Sequence, residues 1–110
     1  MPLMRVYGHS MAPRLREGEL VVVRRRHNAW QPSRGEIVAA RPAALQGRAV
    51  VKRVASIEGN EYVLLGDDPA DSFDSRQFGS VRRDEIFGAV CWRIWPLHRL
   101  TPIVAPDVTA

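Results

Sequence analysis

The stretch that decides the fold runs Ala49-Val50-Val51-Lys52-Arg53-Val54-Ala55-Ser56-Ile57, continues through Glu58-Gly59-Asn60, and ends with Glu61-Tyr62-Val63-Leu64-Leu65. Its first part is rich in β-branched residues, and Gly-Asn is typical of a turn. We therefore predict a β-hairpin with arms over residues 49–57 and 61–65. On a period of two, Lys52 shares a face of the first arm with Val50 and Val54.

Similar β-patterned runs occur before and after this hairpin, separated by segments rich in Gly, Pro and Asn. They cover Leu3 to Tyr7, Gly18 to Arg24, Glu36 to Ala40 and Ile86 to Trp95. We find no convincing helical pattern, so the sequence predicts an all-β fold of short strands in a partly closed barrel or folded sheets. We expect one domain over residues 1–97 and a partly disordered C-terminal tail over 98–110.

The composition is that of an ordinary globular domain. The chain has 110 residues, of which 45% are hydrophobic and 25% charged, and this length supports a core without disulfides. Its aliphatic runs are far shorter than the roughly 20 residues that cross a bilayer, and the first residues do not resemble a secretory leader. The single cysteine, Cys91, fits a reducing compartment. We therefore expect a cytoplasmic protein without a membrane span. A membrane anchor upstream of this sequence is the alternative.

The net charge of +4 and the pI near 10.2 permit contact with nucleic acid or anionic membranes. The best feature for this is the triplet Arg24-Arg25-Arg26, but adjacent arginines at a strand end are more often solvated surface. No aromatic residues alternate with them to stack on bases. A non-catalytic basic module that binds nucleic acid or protein stays as an alternative, while no nucleic acid is expected.

The histidines do not indicate a metal site. His9, His27 and His98 have no ligand spacing with one another or with Cys91. We predict no metal and no cofactor.

Lys52 is the only lysine among the 16 basic side chains, and the others are arginines. An arginine stays charged in a protein, whereas a desolvated lysine can lose its proton. Burial on the apolar face of the hairpin would lower the pKa of Lys52 from about 10.4. The alternative is an edge lysine whose stem lies on the valines while its amine reaches water.

Two loops could supply partners for this lysine. In Tyr7-Gly8-His9-Ser10-Met11-Ala12-Pro13, the hydroxyl of Ser10 follows a strand and a glycine, although such a stretch alone is usually a turn. The segment from Gly66 to Gly79 is long, polar and bounded by glycines, which indicates either a functional loop with an Asp74–Arg76 ion pair or a solvated loop. A serine nucleophile with a neutral lysine base is a known variant of serine catalysis.

These stretches together resemble the type I signal peptidases and their relatives, the Ser/Lys endopeptidases of the signal peptidase and LexA-type repressor group. The resemblance covers nearly the whole chain. Five motifs occur in the family's order: Gly8-His9-Ser10-Met11-Ala12-Pro13, Gly18-Glu19-Leu20-Val21-Val22-Val23, Arg34-Gly35-Glu36-Ile37-Val38, Val51-Lys52-Arg53-Val54, and Gly66-Asp67-Asp68-Pro69 through Ser72-Phe73-Asp74-Ser75-Arg76.

The resemblance implies a serine endopeptidase with Ser10 as nucleophile and Lys52 as general base. It also implies that Ser72 hydrogen-bonds the Lys52 amine and that Asp74 and Arg76 form a supporting ion pair. The backbone N–H of Ser10 would donate to the oxyanion, and Gly8 and Met11 flank the site as supporting or oxyanion residues. Many bacterial members carry a hydroxyl where this chain has Gly8, so the second oxyanion donor stays open.

Within this group, a short chain without an apparent anchor is similar to the maturation proteases of nickel-type superoxide dismutase. This similarity implies that the partner is a precursor protein from which an N-terminal leader is removed. A LexA-like autoprotease core is the other alternative with the same chemistry, but no helix-turn-helix precedes Ser10.

Overall fold

The computed structural model describes residues 3–25, 30–71, 73–97 and 100–103. Eight strands form in this part of the chain: β1 (Leu3–Arg5), β2 (Leu20–Arg25), β3 (Ile37–Ala40), β4 (Val50–Glu58), β5 (Glu61–Leu65), β6 (Val81–Arg82), β7 (Ile86–Trp95) and β8 (Thr101–Pro102). One α-helical turn, α1 (Ser75–Phe78), and 3-10 turns at Ala43–Leu45, Pro69–Asp71 and Arg83–Glu85 complete the elements. Within the described ranges, every helix is too short or too polar to cross a membrane.

The strands form one curled antiparallel sheet with the shape of a half-barrel. Its order is β1-β2-β7-β3-β4-β5-β6, and β8 pairs with β7 beside this path. The ten-residue β7 is the centre of the sheet, because it pairs with β2 along most of its length and with β3 at its first residues. The predicted all-β fold is confirmed.

Strand β3 is buried on both faces, and this burial fixes the register of the neighbouring strand β4. Ile37 and Ala39 belong to one core cluster, whereas Val38 and Ala40 belong to a second one. Because successive side chains of a strand point to opposite faces, the two clusters lie on opposite sides of β3. Strand β4 pairs with β3 over Val50 to Arg53, so this part of β4 has a fixed register between two layers of apolar side chains.

The predicted hairpin is present as β4 and β5, and the other predicted strands are present with ends shifted by at most two residues. Three features differ from expectation. The short strand β6, which pairs with β5, was not predicted. The polar loop after Gly66 contains α1, which begins after Asp74. The chain also continues into the fold beyond residue 97, since Thr101 and Pro102 pair with β7 and Ile103 is buried in the core. Residues 104–110 of the predicted tail lie outside the described residues.

The helical turn α1 exists because Asp74 and Gln77 form a capping box at its start. The carboxylate of Asp74 is fully buried and accepts hydrogen bonds at both of its oxygens. Oδ1 accepts from the backbone N and Nε of Arg76, at 3.1 and 3.0 Å. Oδ2 accepts from the N of Gly66 at 2.9 Å and from the Arg76 guanidinium at 2.8 Å. The predicted Asp74–Arg76 ion pair is therefore present, and it joins both ends of the loop.

We expect Asp74→Asn to lower the free energy of unfolding by about 3 kcal/mol, because an amide NH2 would replace an acceptor that faces two donors. Chemical denaturation monitored by tryptophan fluorescence measures the effect. Asp84→Asn is the matched control, since the Asp84–Arg82 pair is exposed to solvent and should contribute little to stability. Equal stability of the two variants would contradict the role assigned to Asp74.

Candidate active site

Ser10 lies in the turn that follows β1. The backbone N of Ala12 donates to the carbonyl of His9, and the N of Leu15 donates to the carbonyl of Met11. Met11 and Leu15 are buried in the same core cluster, with 2% and 0% of their surface exposed. Burial of these two side chains fixes the turn, so Ser10 is held at the edge of the sheet.

Lys52 lies on β4 opposite Val38 of β3, and only 6% of it is exposed. Its Nζ is 2.6 Å from the Oγ of Ser10. The valines on the same face, Val50 and Val54, pack in the second core cluster. Lys52 is therefore buried, and it is not the lysine with a solvated amine that the sequence left open as an alternative.

The loop after β5 also contacts the Ser10 turn. The backbone N of Asp68 donates to the carbonyl of Ser10 at 2.8 Å. Ser10, Lys52 and the start of the polar loop are thus in direct contact, although they are far apart in the sequence. Ser72, which the resemblance places against the Lys52 amine, lies outside the described residues, as do Arg26, His27 and His98.

A buried ion pair that the sequence analysis missed holds the far end of the Ser10 turn. Glu19 and Arg93 are 3% and 7% exposed, and Arg93 Nη1 is 3.7 Å from Glu19 Oε1. The same Oε1 accepts from the backbone N of Arg16 at 2.9 Å, while Arg93 Nη1 donates to the carbonyl of Arg14 at 2.6 Å. No local spacing could reveal this pair, because β2 and β7 bring its members together.

A second missed ion pair links the strand of Lys52 to the polar loop. Arg53 donates to both carboxylate oxygens of Asp67, at 2.8 and 2.7 Å, and to the carbonyl of Gly35 at 2.8 Å. The hydrogen bond to Asp67 raises the pKa of Arg53 above its usual value. This bidentate pair holds the start of the loop beside β4.

Gly8 has a positive φ of 76°. A serine or threonine at this position would pay roughly 1–2 kcal/mol for the left-handed backbone, so the chain's departure from the family pattern has a local conformational reason. The N–H of Gly8 donates to Glu17 Oε1 at 3.3 Å, and Glu17 Oε2 is 3.5 Å from His9 Nε2. The described residues contain no group of three or more His, Cys, Asp and Glu side chains that could hold a metal ion.

Beside Ser10 and Lys52 is a cleft of about 650 Å³, lined by residues 4–11 and 48–52 with Leu45 and Phe73. One wall is β1 with the Ser10 turn, and β1 is the outermost strand of the sheet. The other wall is the beginning of β4, where pairing with β5 starts only at Arg53. In the described chain, two partly unpaired strand edges therefore border the cleft next to Ser10.

Comparison with known proteins agrees with this arrangement. A family described as Peptidase S24-like matches residues 1–91. The mitochondrial ATP-independent inner membrane protease subunit 1b of Arabidopsis thaliana is 31% identical in an alignment 121 positions long that covers 88% of this chain and 72% of the relative. The mitochondrial inner membrane protease subunit 2 of Danio rerio is 33% identical in an alignment 129 positions long that covers 94% of this chain and 70% of the relative.

A bacterial relative matches over a shorter stretch. Signal peptidase I of Streptococcus pneumoniae serotype 4 is 40% identical over 45 residues, which cover 41% of this chain and 22% of the relative. The family match extends over most of the chain, and the longer similarities cover more than two thirds of the relatives. The chain belongs to the Peptidase S24-like family and is a serine peptidase similar to the signal peptidases.

Proposed function

We propose that Ser10 is the nucleophile of this peptidase and that Lys52 is its general base. The observation that carries the proposal is the 2.6 Å distance between the Ser10 hydroxyl and the buried Lys52 amine. A nucleophile and its base must lie within hydrogen-bond reach, and the base must be able to give up its charge. The distance supports the first condition for Lys52, and its burial supports the second.

In the proposed reaction, the Ser10 hydroxyl donates its hydrogen bond to the neutral Lys52 amine. The amine takes the proton as Oγ attacks the peptide carbonyl, and the backbone N–H of Ser10 donates to the oxyanion that forms. The protonated amine then gives its proton to the leaving amine of the substrate, which leaves an ester on Ser10. Lys52 next accepts a proton from water as the water oxygen attacks the ester. The C–O bond to Ser10 then breaks, the protonated amine returns its proton to Ser10 Oγ, and the acid is released with Ser10 and neutral Lys52 restored.

The cleft fits an extended peptide as substrate. A peptide lying between β1 and the beginning of β4 could form backbone hydrogen bonds with both edges, as strands do when they add to a sheet. This mode places a peptide carbonyl near Ser10 without demanding a particular side chain. Backbone pairing would hold the substrate, and the side chains that line the cleft would select among sequences.

The first test of the pair is catalytic. We expect Ser10→Ala to abolish cleavage of a mixed peptide library and Lys52→Arg to lower it about 10²- to 10⁴-fold, because a guanidinium cannot become a neutral base. Mass spectrometry of the products measures both effects. Ser56→Ala is the control, since this serine is exposed and lies on the same strand. Wild-type activity in Ser10→Ala or Lys52→Arg would refute the assignment.

The second test is the ionisation of Lys52. We expect its pKa to lie below the ordinary value of about 10.4, because burial disfavours the charged amine. Cleavage should therefore rise with pH as Lys52 loses its proton. Isotope labelling of lysine gives a single side-chain NMR signal to follow against pH, and the unfolded chain in urea supplies the reference. An amine that titrates at the same pH in both states would contradict a role as neutral base.

We further propose that the substrate is a precursor protein with an N-terminal leader and that the reaction takes place in the cytoplasm. The resemblance to maturation proteases makes the precursor of nickel superoxide dismutase the first substrate to test. The names of the relatives, inner membrane protease subunits and signal peptidase I, support a protein substrate.

We expect the wild-type protein to shorten that purified precursor at one peptide bond near its amino terminus, whereas Ser10→Ala leaves it intact. Intact-mass spectrometry locates the bond. An intact precursor together with cleavage of other peptides would overturn this substrate and leave the Ser10–Lys52 assignment standing. Cleavage of the chain itself would favour a LexA-like autoprotease. DNA binding that weakens with salt and persists in Ser10→Ala, without peptidase activity, would favour the basic module.

A further inference from the structure

We propose that Arg48 forms a subsite for an acidic side chain of the substrate, roughly three to five residues from the scissile bond. The inference rests on the proposed function, because it takes the cleft beside Ser10 as the place where the peptide binds. It adds a substrate class: peptides with a glutamate or aspartate at a fixed distance from the cleaved bond.

The argument begins with the charges in the cleft. The described residues that line the cleft include the cations Arg5, Arg48 and Lys52. They include no aspartate and no glutamate. Two of the cations are already engaged, since the Arg5 guanidinium donates to the carbonyl of Gly18 at 2.7 Å and Lys52 contacts Ser10. Arg48 is exposed and has no hydrogen-bond or ion-pair partner for its side chain among the described residues.

Elsewhere in the protein, several arginines form ion pairs with nearby carboxylates. They are Arg53, Arg76, Arg82 and Arg93. Arg48 differs from them because no carboxylate is among the described residues that line its cleft, and Glu17 beside the cleft contacts Gly8 and His9. A guanidinium in such a place can bind a carboxylate from another chain through two parallel hydrogen bonds.

The position of Arg48 sets the distance from the reacting bond. It precedes Lys52 by four residues on the segment that enters β4, and an extended chain rises about 3.3 Å per residue, or roughly 13 Å in all. A peptide alongside this segment has the same rise. The length of the arginine side chain widens the expected position to roughly three to five residues from the bond at Ser10.

The rest of the cleft explains why one acid would be selected instead of a generally acidic peptide. Met4, Val6, Val50 and Val51 are apolar lining residues, and Phe73 is an exposed aromatic beside them. Carboxylates placed there would lose water without gaining a partner. The cleft therefore favours small or apolar side chains near the bond and a single negative charge at Arg48.

Cleavage profiling of a mixed peptide library by mass spectrometry tests the subsite. The wild type should enrich Glu or Asp at one position three to five residues from the cleaved bond. Arg48→Glu should lose this enrichment and select Lys or Arg at the same position. Arg34→Glu is the matched control, because it makes the same change of charge at an exposed arginine outside the cleft, and its profile should match the wild type.

Peptides that differ only in carrying Glu or Gln at the selected position measure the size of this preference. Replacing the selected Glu by Gln should lower kcat/KM about three- to fivefold for the wild type and leave it nearly unchanged for Arg48→Gln, as is typical of an ion pair with an exposed arginine. Higher salt should reduce the wild-type preference. A cleavage profile without acid preference, or an acid preference that persists in Arg48→Glu, would overturn the inference.

A binding measurement separates this inference from the proposed function. Fluorescence anisotropy with the Ser10→Ala variant uses labelled ten-residue peptides that differ only in carrying Glu or Gln at successive positions. Tighter binding of one Glu peptide, abolished by adding Arg48→Glu, supports the subsite even if the wild type proves unable to cleave peptides. Equal binding of every Glu and Gln pair would overturn the subsite and leave the Ser10–Lys52 assignment untouched.

Discussion

The contact between the buried amine of Lys52 and the hydroxyl of Ser10 is the constraint on which the rest of the structure depends. Lys52 sits on a strand whose neighbour β3 is buried on both faces, and its own side chain is buried. The Ser10 turn reaches its amine, and the loop after β5 contacts that turn through the hydrogen bond from the N of Asp68 to the carbonyl of Ser10. Each of them must be held there, because an unanchored loop would lose too much conformational entropy on ordering.

The buried charged side chains of the described chain all belong to this arrangement. They are Glu19, Lys52, Asp74 and Arg93. Glu19 and Arg93 hold the segment after Ser10, and Asp74 holds the polar loop. Burial of charge is costly unless partners compensate it, and such groups stabilise a fold less than they specify its geometry. Here the specified geometry is the position of two loops around one amine.

The division of work between arginine and lysine follows from their chemistry. Arg53 and Arg93 make fixed hydrogen bonds to carboxylates and backbone carbonyls, which suits a planar group that keeps its charge. Lys52 stands where a charge would be poorly solvated, and an amine can release its proton there. Among the lysine and arginine side chains, Lys52 is therefore the single one that is suited to proton transfer.

Much of this organisation could be read from the sequence because it is local. The β4–β5 hairpin follows from alternation and a Gly-Asn turn, and the Asp74–Arg76 pair joins residues two positions apart. The pairs Glu19–Arg93 and Arg53–Asp67 could not be read, since they depend on the strand order and on the curl of the sheet. Strand β8 was missed for the same reason: two residues with one proline carry no periodic pattern, and β7 supplies their partner. The motifs indicated which side chains meet, and long-range pairing decides how they are held.

The incomplete closure of the sheet connects the fold to the proposed chemistry. An open strand edge exposes unpaired backbone groups and invites another chain to add, and proteins usually cover or shorten such edges. Here β1 and the beginning of β4 keep open edges on the two sides of one cleft. Ser10 lies at the end of that cleft, so a peptide that paired with either edge would be carried toward the hydroxyl. In the proposed function, the gap in the half-barrel would supply the backbone recognition that a peptidase requires.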